Sequence, residues 1–109
     1  MSVSLPERDW KYLRAVKDQL LANLCRSINE SAVQIVQTGG LTEHEKYLKL
    51  YRHIEASDKI VAECFDDWRR SNLWLKVVLL CRHKLLSEEH LKNLSNELRD
   101  RLELLYPTQ

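Results

Sequence analysis

The sequence predicts an all-α chain: two long helices forming a stalk hairpin, then a compact head of three shorter helices, as a homodimer. Three observations carry this prediction. Only two of the 109 residues are Gly and two are Pro, and they fall at Pro6, Gly39, Gly40 and Pro107. Sandwiches and barrels need turn residues every ~8–12 positions and nucleotide folds need a glycine-rich phosphate turn, so both are excluded. Apolar residues recur at helical spacing, and helix-capping signals stand in front of the apolar runs. Residues 1–109 read as a single helical domain, with stalk helices over 1–70 and head helices over 71–109.

The first helix is predicted to start at Ser4, where Ser4-Leu5-Pro6-Glu7 has the form of a capping box. Trp10, Leu13, Val16, Leu20, Leu24 and Ile28 supply its stripe, and Thr38-Gly39-Gly40 ends it. Thr42-Glu43-His44-Glu45 is a second capping box. The next stripe is Tyr47, Tyr51, Ile54, Asp58, Val61, Phe65 and Trp68, a strict alternation of four- and three-residue gaps. Such a heptad seam argues for packing against a long partner helix. Asp58 in that seam reads either as a register device or as a residue at its wet edge.

A break is predicted near 71, because Leu73 to Cys81 is apolar on nearly every side and reads as a central core helix. Ser71 or Asn72 is the expected cap there. Ser87 is expected to cap residues 88–93, with Glu88 and Glu89 in the positive first turn, and Ser95 to cap 96–105.

Composition narrows the function classes. Hydrophobic residues make up 44% and charged residues 30%, a globular balance. A chain of this size buries only about two thirds of its unfolded surface, so long helices would need further cover and self-association is expected. Seventeen basic residues face sixteen acidic ones, for a net charge of +1, and no segment carries a large excess of either sign. That balance weighs against nucleic acid and against an acidic membrane. Cys25, Cys64 and Cys81 are odd in number and far apart with no CxxC, which points to free thiols in a reducing, cytoplasmic setting. The N-terminal segment does not have the form of a signal peptide, and the apolar run at Val77–Cys81 is too short for a membrane span.

Nothing in the sequence forms a catalytic constellation. His44, His53, His83 and His90 make no HExxH or ExxH pattern, and the adjacent Asp66 and Asp67 diverge by ~100° on a helix. No enzyme activity, metal or cofactor is expected. The most distinctive stretch is Phe65 to Trp74, where Trp68 and Trp74 flank Arg69 and Arg70. Aromatic and arginine clusters supply hot spots at protein interfaces and can also stack on single-stranded nucleic acid. Both indoles could equally be core, with the two arginines left exposed for a partner.

With those residues in place, the chain resembles the fluorescence recovery protein family of cyanobacteria. That family has an N-terminal Trp, matched by Trp10, and a Trp-Lys-Leu-His-Asp motif in its second helix, to which Leu48-Lys49-Leu50-Tyr51-Arg52 corresponds. Its aromatic-Asp-Asp-Arg segment corresponds to Phe65-Asp66-Asp67, with Trp68 in place of the Arg and Arg69-Arg70-Ser71 following. Leu73–Cys81 and Glu89-His90-Leu91 with Leu94 extend the likeness over nearly the whole chain.

The resemblance implies a non-enzymatic homodimer whose head binds the C-terminal domain of the orange carotenoid protein, a carotenoid-binding photoreceptor. Binding speeds that photoreceptor's return to its resting form and so takes part in photoprotection. It implies a dimer interface at Trp10, Tyr47, Leu48, Tyr51, Arg52 and Asp58. It implies a partner-binding head at Asp66, Asp67, Trp68, Arg69, Arg70, Trp74, Leu75 and Arg101.

The departures matter. The family's motif Asp and an Arg six residues later are Arg52 and Asp58 here, a reversed charge pair that could link two chains. The drifted head allows a homologue with a different protein partner. The reading from a different class is a helical nucleic-acid-binding regulator using Arg69 and Arg70.

Overall fold

The computed structural model describes residues 5–105, and all of its regular structure is helical. Five α-helices follow in order: α1 (Glu7–Gln37), α2 (Glu43–Phe65), α3 (Leu73–Arg82), α4 (Glu88–Lys92) and α5 (Asn96–Leu105). A 3₁₀ turn, Arg70–Asn72, leads into α3.

The predicted capping box at Ser4 falls partly outside the described residues. Pro6 stands at the N-cap of α1 without a side-chain cap. Glu7, the other half of that expected box, instead holds Arg70 at 2.7 Å across the fold. α1 ends at Thr38, whose hydroxyl donates to the Gln34 carbonyl at 2.7 Å. Of the two glycines only Gly40 takes a left-handed backbone, at φ +81°, where a side chain would be strained.

The second box forms as predicted. The Thr42 hydroxyl accepts from the Glu45 N–H at 3.1 Å, and the Glu45 carboxylate accepts from the Thr42 N–H at 3.0 Å. Hydrogen bonding to the carboxylate, first from the backbone and then from the side chain of Thr42, holds the Glu45 carboxyl below its ordinary value of 4.5. A carboxyl depressed in the folded state stabilises fully above its unfolded value and loses that effect as pH falls through the folded one. We therefore expect amide exchange over the first turn of α2 to speed up as pH drops below about 4.5, after correction for intrinsic rates, and Thr42→Ala to weaken that pH dependence without abolishing it, because the backbone N–H that donates to Glu45 remains. The variant should also cost about 1 kcal/mol by urea unfolding.

α1 and α2 lie antiparallel. His53 Nε2 meets the Ile28 carbonyl at 2.9 Å near the middle, while Leu20 and Leu24 pack with Cys64 and Phe65 at the far end. The face of α2 turned to α1 carries Leu50, His53, Ser57, Ile60 and Cys64, itself a heptad-like series. Tyr47, Tyr51, Ile54 and Asp58 of the predicted seam point outward instead.

Two apolar clusters form the core. One joins Leu20 and Leu24 of α1 to Cys64, Phe65, Leu79 and Leu80. The other joins Leu13 of α1 to Leu73, Val77, Leu94, Leu98 and Leu102. α1 thus enters both clusters, its N-terminal turns packing with the C-terminal helices.

The expected break near 71 lies inside a wider interruption, from 66 to 72, that begins earlier than the sequence suggests. α2 stops at Phe65, and residues 66–69 form the joint. Asp67 adopts φ +57°, a left-handed conformation that Asp tolerates better than most residues. Asn72 does not cap α3: its Oδ1 accepts from the Arg69 N–H at 2.9 Å and its Nδ2 donates to the Asp67 carbonyl at 2.7 Å, fastening the joint. In α3, Lys76 is buried and Leu75 exposed, the reverse of their hydrophobicities. Lys76 Nζ donates to the Glu63 carbonyl at 2.9 Å, so its charge lies against the carbonyl end of α2 while its stem is covered.

Ser87 caps α4, its hydroxyl accepting from the His90 N–H at 3.3 Å while His90 Nδ1 accepts from the Ser87 N–H. Ser95 caps α5 through the Leu98 N–H at 3.2 Å. Ser95 is gripped in turn by Asp9, a fully buried carboxylate that accepts from its N–H at 2.7 Å and its hydroxyl at 2.6 Å.

Candidate functional site

Two surfaces stand out. The first lies on the paired long helices. Tyr47, Tyr51 and Ile54 are 63%, 57% and 46% exposed on α2, and Val33 and Val36 are about half exposed on α1. Leu50 joins the two groups: with Ala32, Val33 and Val36 it lines a cavity of about 240 Å³. Residues three and four apart are neighbours on a helix, so Leu50 adjoins both Tyr47 and Ile54. The result is one continuous apolar strip along an edge of the antiparallel pair. Large exposed strips on small proteins mark interaction sites.

The predicted interface residues divide in their placement. Tyr47 and Tyr51 lie in the strip, and Leu48 is half-buried beside it in sequence. Arg52 and Asp58 are exposed, and neither meets an opposite charge within salt-bridge distance among the described residues. Six residues apart on one helix, they point about 120° from each other. Trp10 sits elsewhere: it packs against the cluster of Leu13, Leu73 and Leu98.

The second surface surrounds the joint. The Trp68 ring is held by its Nε1, which donates to the Cys64 carbonyl at 2.7 Å, and is stacked beside Phe65. Arg69 pairs with Asp67 at 2.9 Å. Arg70 pairs with Glu7 and lies over the Trp10 ring, its Cζ 5.8 Å from the centroid. Asp66 is exposed at the end of α2, and Trp74 is half-buried against the second cluster. Leu75 is 55% exposed, while Arg101 is half-buried and pairs with Glu97 at 3.3 Å along α5.

Sequence reading missed the third wall of this surface. Arg14 lies over Trp10, its Cζ 5.5 Å from the centroid, and Lys17 lies over Trp68 at 5.0 Å. Trp10, Arg14 and Lys17 are spaced by four and three residues, so one face of α1 could have been read as an aromatic–basic stripe.

The cysteines differ in environment. Burial pushes the Cys64 thiol up, helped by Glu63 and opposed by Lys76, and burial alone pushes up Cys81. Cys25 is half-buried on the outer side of α1, beside Ala22, Asn29 and Val33. Iodoacetamide at neutral pH should therefore modify Cys25 well before the other two, as read by peptide mass spectrometry.

Among the described residues no helix is long and apolar enough to cross a membrane. No family model, curated protein or solved structure matches the chain.

Proposed function

We propose that the chain is a homodimeric helical regulator of the fluorescence-recovery type, acting by binding another protein. In this reading α1 and α2 are a stalk that pairs with a second copy through the apolar strip. The residues around the joint and α3 are the head that meets the partner. The exposed strip of Tyr47, Tyr51, Ile54, Val33 and Val36 is the observation that carries the reading. Its α2 residues follow a heptad spacing, and a second copy laid along it would cover apolar surface that the described residues leave exposed.

The partner proposed from the resemblance is the C-terminal domain of a carotenoid-binding photoreceptor. The regulator would favour the resting conformation by contacting it better than the activated one. Adding the protein to photoactivated orange carotenoid protein should accelerate the red-to-orange recovery. An unchanged recovery rate would remove that partner and leave a homologue with a different one. The nucleic-acid reading has less support, because Arg69 and Arg70 are each already matched by a carboxylate, Asp67 and Glu7.

The dimer has its own test. Ile54→Glu changes a side chain exposed in the single chain, so its fold should survive while light scattering shows monomers. If Arg52 of one protomer pairs with Asp58 of its partner, reversing either charge should weaken the dimer by about tenfold and reversing both should restore it. Unchanged dimers in both single variants would end the pairing.

A further inference from the structure

We propose that the groove between Trp10 and Trp68 is a docking site for an acidic peptide segment of a partner protein. This rests on the reading of the chain as a partner-binding protein, and its test is separate from that reading. The groove consists of two adjacent cavities of about 410 and 360 Å³ that share Trp10 and Arg14 in their lining. One wall is the N-terminal half of α1 and the other is made by Trp68 of the joint and Arg70 of the 3₁₀ turn.

The charges are set out by the indoles. Arg70 and Arg14 lie over Trp10, and Lys17 over Trp68, which places three cations against the two indoles that line the groove. Lys11 adds a fourth at the rim. Two carboxylates also line it, Glu7 and Asp18. Glu7 is already engaged by Arg70 at 2.7 Å. Neither Arg14 nor Lys17 has a carboxylate within salt-bridge distance among the described residues. The groove thus holds a surplus of positive charge on a chain whose net charge is only +1.

A guanidinium lying over an aromatic face keeps its in-plane N–H groups free, and these match a carboxylate two at a time. Holding the cation over the ring also restricts its rotamers before the ligand arrives, which lowers the entropy cost of binding. Trp68 is tied to the last turn of α2 by its bond to the Cys64 carbonyl, which restricts that wall of the site. The chemistry fits spaced carboxylates with short apolar side chains between them to cover the indole edges. It fits a phosphate backbone less well, because Asp18 would face a uniform line of anions.

The probe is a short, fluorescein-labelled peptide of alternating Glu and Ala, titrated with the full chain and read by anisotropy. Saturable binding that weakens as salt rises is expected. The double variant Arg14→Gln with Lys17→Gln should lose at least about tenfold in affinity. The control Arg82→Gln with Lys92→Gln, which alters exposed cations outside the groove, should bind as wild type. Circular dichroism verifies that each variant is folded. Three results would overturn the site: no saturation at low salt, full affinity in the groove variant, or tighter binding of an oligothymidylate of equal length. Peptide binding without any effect on carotenoid-protein recovery would keep the groove and remove the proposed photoreceptor partner. The converse would keep the regulator and discard the groove.

Discussion

Asp9→Ala should destabilise the fold by about 3 kcal/mol, measured as a shift in the urea midpoint at fixed protein concentration. The Asp9 carboxylate is fully buried and receives two hydrogen bonds from Ser95 at 2.7 and 2.6 Å. Alanine would leave the Ser95 N–H and hydroxyl facing a dry space. The loss is concentrated at the start of α5, because the Ser95 hydroxyl also caps the Leu98 N–H. Asp9→Asn keeps one acceptor and should cost less, about 1 kcal/mol. In thermal unfolding each kcal/mol corresponds to roughly 4–8 °C for a domain near this size. Equal midpoints for wild type and Asp9→Ala would mean that the contact does not hold α5 in solution.

Leu20→Ala should cost a similar amount, about 3 kcal/mol, through a different mechanism. Leu20 is fully buried where α1 meets the end of α2 and the end of α3. Its removal leaves a cavity within the cluster that holds Phe65, Leu79 and Leu80, and a close-packed interior relaxes into such a space only in part. Leu20→Met conserves volume and should cost less than about 1.5 kcal/mol. The contrast between the two variants separates packing from local helix effects.

The elements were legible in the sequence wherever a cap was local. Thr42 with Glu45, Ser87 and Ser95 each sit three residues from the group they bond, so spacing alone revealed them. The start of the joint after α2 was not legible because it contains no Gly or Pro. It is made by Asp67 at a positive φ and by Asn72 clasping two backbone groups, neither of which has a strong local signature. The heptad seam was legible, but its orientation was not. The strip that meets α1 includes His53, Ser57 and Cys64, which look less apolar than Tyr47, Tyr51 and Ile54. His53 turns inward because the Ile28 carbonyl offers it a partner. Lys76 interrupts the apolar run in sequence, yet it is buried because the end of α2 accepts its charge. The aromatic–basic groove was half visible, since Trp10, Arg14 and Lys17 share a helix face. Its other wall comes from Trp68 and Arg70, and only folding brings those across.

The double membership of α1 has a consequence for the chain during synthesis. α1 leaves the ribosome before the other four helices, with Leu13, Leu20 and Leu24 all uncovered. Once Phe65 has emerged, α2 can shield Leu20 and Leu24. Leu13 must wait for Leu73, Val77 and then Leu94 to Leu102. A nascent chain stalled between these points therefore displays an apolar stripe that the finished protein hides. Chaperones and proteases would recognise an incomplete product by that stripe.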